Sequence, residues 1–123
     1  MEAAEASADS HHLSPKRVAE MLEGGDVQLI DVREPYEWEA GRVAGARHIL
    51  FDDLPTLAET IDRDRPVVFV CRGGSRSGMA ADAFRQSGFD AHNMEGGLRA
   101  WADEGLPVEP DGGEIAESRP DAS

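Results

Sequence analysis

The sequence predicts an α/β domain in which helices flank a small, mostly parallel sheet. Short apolar segments typical of strands alternate along the chain with segments whose apolar residues recur at helical spacing. Glycine or proline stands near several of the boundaries between these segments, as expected where helices begin and end. Strands that alternate with helices are typical of α/β domains, whose functional sites lie at the carboxyl ends of the strands.

The first part of the chain supplies a short strand, a helix and a longer strand. Residues 12–13 predict the short strand, and Ser14 is a candidate N-cap for a helix with Pro15 at its first position. The glycine pair 24–25 ends that helix. The apolar run 27–32 then predicts a strand buried inside the sheet.

The middle of the chain predicts two helices separated by another short strand. Residues 34–41 predict a helix that Gly41 ends, and residues 46–49 predict the strand. Residues 52–61 predict the second helix, and Pro55 must lie in its first turn because proline disrupts later turns.

The second half of the chain contains the most apolar strand, residues 66–70, which we expect to lie at the centre of the sheet. A helix over 75–88, a strand over 89–94 and a last helix over 97–105 follow it. Cys71 directly follows the central strand, so we expect it at a carboxyl end where sites form.

The length of 123 residues suits one domain, which we place at residues 11–108. Residues 1–10 and 109–123 are small, polar and acidic, and we expect a disordered lead and a disordered tail there. The lead lacks the apolar core of a signal peptide. No apolar run approaches the ~20 residues that a membrane span needs, so we expect no membrane association.

The charge of the chain is strongly acidic. Asp and Glu number 25 against 12 Lys and Arg, for a formal net charge of −13, and Lys16 is the only lysine. An acidic surface repels nucleic acid and anionic membranes at long range. Such a composition resembles proteins that work in concentrated salt, where screening removes self-repulsion. The alternative is an acidic protein from an organism with arginine-rich coding.

The single cysteine cannot form an internal disulfide. A lone thiol indicates a reducing compartment or a catalytic role, and we expect the cytoplasm.

The stretch C-R-G-G-S-R-S after the central strand combines features that favour a reactive thiol. Two glycines allow a tight loop whose N–H groups point to one centre, and the following helix adds its positive end. Two arginines and two serines add charge and hydroxyl donors, which favour the thiolate and hold an anionic substrate above it. A buried cysteine before a generic turn is the alternative, but arginines buried there would need partners. The predicted site is Cys71 as nucleophile, framed by Arg72, Gly73, Gly74, Ser75, Arg76 and Ser77.

Other polar residues favour structural roles. Asp31 is expected to cap its loop and Arg33 to pair with a nearby carboxylate, although a catalytic acid at that strand end is possible. Glu34, Glu37 and Glu39 are most simply a solvated helix face. We expect no metal site, since the histidines lack ligand spacing to one another or to the cysteine.

Four segments in order resemble the rhodanese-like domains. Residues 29–41 resemble that family's strand-and-helix signature, and residues 41–49 resemble its G-H-I-x-G-A-x-x-I segment. Residues 71–77 resemble its active-site loop. Residues 95–108 resemble its closing signature, G-G-x-x-x-W-x-x-x-G-x-P-V. The resemblance runs from about residue 12 to residue 108.

The resemblance implies a sulfurtransferase that needs no cofactor. Cys71 would attack the outer sulfur of a donor such as thiosulfate, become a persulfide and release sulfite. A thiol or cyanide would then accept the sulfur, in a ping-pong scheme. By position, Arg72 and Arg76 would contact the sulfonate group or the persulfide.

Two alternatives remain open. The domain could be a sulfur-relay or regulatory module docked to a partner protein, whose basic patch the acidic surface would select. Phosphatase-like or arsenate-reductase-like relatives of the family have a C-x5-R loop. Here Arg76 is the fifth residue after Cys71, and the shorter loop fits sulfur better than phosphate.

If the acidic composition reflects a saline environment, molar salt will stabilise the protein because it screens carboxylate repulsion. We expect the melting temperature to rise from low to molar KCl in a calorimetric scan. A melting temperature that does not change with salt would refute this interpretation.

Overall fold

Five parallel strands form one sheet in the computed structural model, which describes residues 11–117. The predicted α/β fold is therefore confirmed. The strands are β1 (His12–Leu13), β2 (Gln28–Asp31), β3 (Arg47–His48), β4 (Val67–Val70) and β5 (Ala91–Met94). Their order across the sheet is β1-β5-β4-β2-β3, so β4 is central, as its apolar sequence predicts.

Four α-helices connect these strands within the described residues, and a fifth follows β5. They are α1 (Pro15–Gly24), α2 (Pro35–Ala40), α3 (Leu54–Leu57), α4 (Ser75–Gln86) and α5 (Gly97–Asp103). The predicted caps of α1 are present: the Ser14 hydroxyl oxygen accepts from the N–H of Arg17 at 3.1 Å, and Gly25 has the left-handed φ of 77°.

The helix predicted over 52–61 is wrong as a single element. It consists of the four-residue α3 between two 3₁₀ segments, Phe51–Asp53 and Ala58–Thr60. Leu57 leaves helical geometry at φ −101° and ψ 7°. The Thr60 hydroxyl donates to the Leu57 carbonyl oxygen at 2.6 Å, which satisfies a group that a continuing α-helix would use.

The sheet separates two apolar clusters. Val67 and Phe69 of β4 face the cluster under α3 and α4, whereas Val68 and Val70 face the cluster under α1 and α5. Successive side chains of a strand point to opposite faces. Both faces of β4 are covered, and this explains its unbroken apolar sequence.

Residues 109–117, which the sequence analysis assigns to a disordered tail, have defined contacts in the structure. Glu109 pairs with Arg42 in an antiparallel bridge, and the N–H of Glu114 donates to the Ala40 carbonyl oxygen at 2.9 Å. Ile115 packs against the cluster under α1 and α5. The lead, residues 1–10, and the end of the tail, residues 118–123, lie outside the described residues.

None of the helices within residues 11–117 is both long enough and apolar enough to cross a membrane.

The start of α5 lies directly against the loop that follows β4. The N–H of Leu98 donates to the Cys71 carbonyl oxygen at 2.9 Å, and that of Arg99 donates to the Arg72 carbonyl oxygen at 3.0 Å. Gly97 has φ 64°, and a Cβ there would overlap these two carbonyl groups. Only glycine therefore lets α5 approach the loop this closely.

Replacing Gly97 with alanine will destabilise the fold and displace the loop. The left-handed backbone costs a side chain about 1–2 kcal/mol, and the overlap adds about 1–3 kcal/mol. Gly105→Ala is the matched control, because Gly105 has φ 76° but open space around its Cβ position. In urea unfolding, equal losses of stability in the two variants would contradict the close approach.

Candidate active site

Cys71 lies at the carboxyl end of β4, and the turn behind it leads straight into α4. The side chain is 1% exposed. Gly74, which precedes α4, has φ 104°, a left-handed conformation that side chains rarely adopt. The glycine therefore allows the chain to turn from the strand into the helix within a few residues.

Three hydrogen-bond donors surround the sulfur of Cys71. The backbone N–H of Gly74 lies 3.1 Å from Sγ, the N–H of Ser77 lies 3.4 Å away, and the Ser77 hydroxyl oxygen lies 3.3 Å away. We call these three groups the sulfur cradle. The N-terminus of the 12-residue α4 adds its partial positive charge. All of these favour negative charge on the sulfur.

The guanidinium of Arg76 forms a bidentate ion pair with Glu37. Nη1 donates to Oε1 at 3.0 Å and Nη2 donates to Oε2 at 3.2 Å. Burial lowers the pKa of Arg76, but the hydrogen bond and charge of Glu37 outweigh it, with contributions from Cys71 and Asp31. The pKa of Arg76 is therefore raised, and the side chain is a permanent cation beside the sulfur.

The expectation that Glu37 belongs to a solvated face is wrong. Its side chain is fully buried, because α2 turns it toward α4 and Arg76 neutralises it. Glu37 also accepts from the N–H of Glu34 at 2.9 Å, within a capping box at the start of α2. Glu39 is exposed, as predicted. A buried arginine requires an acidic partner, and this requirement of Arg76 was the signal that could have identified Glu37 from the sequence.

Arg72 presents a different environment from Arg76. Its side chain is half-buried, and its Nε–H is shielded from water with no hydrogen-bond partner among the described residues. A buried donor without a partner is costly, so this group is an unsatisfied polar atom next to Cys71 in the sequence. Gly73 and Ser75 are exposed beside it, at the open side of the loop.

Asn93 is a site residue that the sequence analysis missed. It lies on β5 next to Phe69 of β4, and its Oδ1 accepts from the Ser77 hydroxyl at 2.6 Å. Its Nδ2 lies 3.4 Å from Nδ1 of His12 on β1. A polar residue near the end of a buried strand, at the same edge as Cys71, was the available signal.

Asp31 and Arg33 have the structural roles expected of them. Arg33 Nε donates to Asp31 Oδ1 at 2.9 Å, and Nη2 donates to Oδ2 at 2.7 Å, with both side chains buried. Nη2 also donates to the Gly41 carbonyl oxygen at 2.7 Å. The pair therefore ties the end of β2 to the end of α2.

Among the described residues, no cluster of three His, Cys, Asp or Glu side chains is arranged to hold a metal ion. His11 and His92 have ring centroids 6.4 Å apart, and His92 contacts Asp90 at 2.8 Å.

The sequence profile of the rhodanese-like domain matches residues 14–104. The chain belongs to the rhodanese-like domain family. It is 38% identical over 96 residues to a putative sulfurtransferase, YtwF, of Bacillus subtilis, covering 77% of this chain and 93% of that protein. It is 34% identical over 90 residues to the thiosulfate sulfurtransferase GlpE of Pseudomonas aeruginosa, covering 72% of this chain and 81% of that protein.

Solved structures agree with this assignment. A rhodanese-related protein of Thermoplasma volcanium superposes with a TM-score of 0.75 at 28% identity, covering 80% of this chain and 96% of that chain. A Rhodopseudomonas palustris protein described as a possible tyrosine phosphatase superposes with a TM-score of 0.73 at 28% identity, covering 86% and 89% of the two chains.

Replacing Glu37 with glutamine will remove the carboxylate that neutralises the buried Arg76 guanidinium. We expect the free energy of unfolding to fall by about 3–5 kcal/mol. Glu39→Gln is the matched control, because it removes the same charge from an exposed position of the same helix. Equal urea midpoints for the two variants would show that the ion pair has no stabilising role.

Proposed function

We propose that this protein is a sulfurtransferase that carries sulfane sulfur as a persulfide on Cys71, from an anionic donor such as thiosulfate to a thiol or cyanide acceptor. The single observation that carries the proposal is the sulfur cradle, which surrounds Cys71 Sγ with three donors at the end of β4. Family membership and the sulfurtransferase relatives support it.

In the first step, the Cys71 thiolate attacks the outer sulfur of thiosulfate. A bond forms between Sγ and that sulfur, the S–S bond of thiosulfate breaks, and sulfite leaves with the bonding electrons. Arg72, whose half-buried side chain follows Cys71 in the loop, supplies positive charge for the sulfonate group during this displacement. Arg76 contributes positive charge from its place beside Glu37.

In the second step, the acceptor attacks the outer sulfur of the persulfide, and Cys71 leaves as a thiolate. The sulfur cradle favours this step too, because its donors stabilise the negative charge that returns to Sγ. The protein needs neither cofactor nor metal for this cycle. One cradle therefore serves the nucleophile in the first step and the leaving group in the second.

Phosphatase-like or arsenate-reductase-like activity is the second candidate, favoured by the structural neighbour described as a possible tyrosine phosphatase. Two observations weigh against it. Four residues separate Cys71 from Arg76, so the loop is one residue shorter than a C-x5-R loop. Both Nη groups of that arginine, Arg76, bond to Glu37, whereas phosphate binding needs a guanidinium directed at the substrate.

The physiological donor or acceptor could also be a partner protein in a sulfur relay. The net charge of −13 favours a partner with a basic surface around its own sulfur-bearing group. We propose a cytoplasmic location, since a lone thiol is typical of a reducing compartment.

Incubation with thiosulfate will add one sulfur atom to the wild-type chain and none to Cys71→Ser. Intact-mass spectrometry measures the gain, and circular dichroism of both proteins establishes that the variant folds. If thiosulfate adds nothing, a low-molecular-weight persulfide serves as the second donor. Failure of both donors to load folded wild-type protein would refute the proposed function.

A further inference from the structure

The hydroxyl of Ser77 lies between two groups that compete for its proton. Its oxygen is 3.3 Å from Cys71 Sγ and 2.6 Å from Asn93 Oδ1. A serine hydroxyl has one proton and can donate it to one acceptor at a time. The direction of this proton therefore decides whether the sulfur receives a third hydrogen bond.

We propose that Asn93 is a positioning residue that sets the direction of the Ser77 proton, and that the ionisation of Cys71 and the orientation of the Asn93 amide change together. The proposal adds a residue on β5 to the proposed sulfurtransferase site and rests on Cys71 being its nucleophile. Its test reads thiol ionisation, which needs no sulfur transfer.

The thiol and the thiolate favour opposite directions along this chain of groups. With the thiol, S–H donates to Ser77 Oγ, Ser77 donates to Asn93 Oδ1, and Nδ2 of Asn93 donates to His12 Nδ1, as the distances allow. With the thiolate, Ser77 turns its proton to Sγ. Rotation of the Asn93 amide by half a turn then lets Nδ2 donate to Ser77 Oγ. After this rotation, Oδ1 accepts a hydrogen bond from His12 in the form that carries its proton on Nδ1.

Protons balance without transfer between the buried groups. The thiol proton leaves to a base in the solvent, and Ser77 and Asn93 keep their protons and change only orientation. His12 is exposed, so its ring can exchange a proton with water. Through this exchange Nδ1 becomes an acceptor when it faces Asn93 Nδ2 and a donor when it faces Asn93 Oδ1. The charged groups around the sulfur, Arg72 and the pair Arg76–Glu37, keep their charges.

The surroundings of Asn93 suit a side chain that rotates in place. Asn93 is 6% exposed and lies beneath the turn into α4. Its Nδ2 is 3.7 Å from the position a Cβ would take at Gly74 and 3.6 Å from that at Gly78. Both distances are ordinary van der Waals contacts, and half a turn of the amide exchanges a donor and an acceptor of nearly equal size without needing more space.

Asn93→Asp tests the proposal because a carboxylate only accepts. It will hold the Ser77 proton away from the sulfur at every pH at which it is ionised. We expect the midpoint of Cys71 ionisation, read from the pH profile of iodoacetamide alkylation, to rise by about one pH unit. The thiolate fraction below that midpoint then falls about tenfold.

The charge that Asn93→Asp introduces also disfavours the thiolate through space, and the Ser77→Ala background separates this effect. With no hydroxyl to direct, Asn93→Asp retains only the through-space contribution, so its shift will be smaller than in the wild-type background. Equal shifts in the two backgrounds would overturn the proposal. The same holds if Asn93→Asp leaves the midpoint unchanged in the wild-type background.

A measurement on the wild-type chain covers the case in which the buried aspartate prevents folding. In ¹⁵N NMR, the Asn93 side-chain amide and the His12 ring nitrogens will shift with the same midpoint as Cys71 alkylation. In Cys71→Ser, neither the Asn93 amide signal nor the His12 ring signals will change at the pH of that midpoint. An Asn93 amide and a His12 ring that are insensitive to Cys71 would overturn the coupling, whatever the outcome of the thiosulfate experiment.

Discussion

A buried charge needs a partner, and this constraint joins the elements that surround the sulfur of Cys71. Asp31 at the end of β2 pairs with Arg33, which also holds the carbonyl of Gly41 after α2. Glu37 within α2 pairs with Arg76 at the start of α4. The two ion pairs therefore connect β2, α2 and α4 at the edge of the sheet where the sulfur cradle forms. Removing one member of a pair would leave the charge of the other buried without that partner.

The local field at the cysteine opposes the field of the whole molecule. The chain has a net charge of −13, which repels anions at long range, whereas the N–H donors of the sulfur cradle and the start of α4 favour negative charge at short range. Salt screens the first effect much more than the second, because the short-range contacts are buried. The anionic donor proposed above would therefore reach Cys71 more readily at high ionic strength.

The fold was predictable where its signals are local. Each strand and helix has its own apolar pattern, caps or breakers, and the order of these elements led to the α/β class. Residues 51–60 are an exception, because they form α3 between two 3₁₀ segments where the apolar pattern predicts one continuous helix. Gly97 is a second exception. A side chain at this position would overlap the backbone of the loop after β4, which is distant in sequence.

The sequence by itself determined the loop around Cys71, because a strand end, two glycines, the cysteine and a helix start are contiguous in the chain and form a turn of N–H donors through local geometry. Only the tertiary structure decided which residues support it. Glu37 is 39 positions from Arg76, and Asn93 is 16 positions from Ser77. Glutamates on a short helix and an asparagine in a strand have no local pattern that identifies their partners, and only packing of α2 and β5 around the start of α4 brings them into contact.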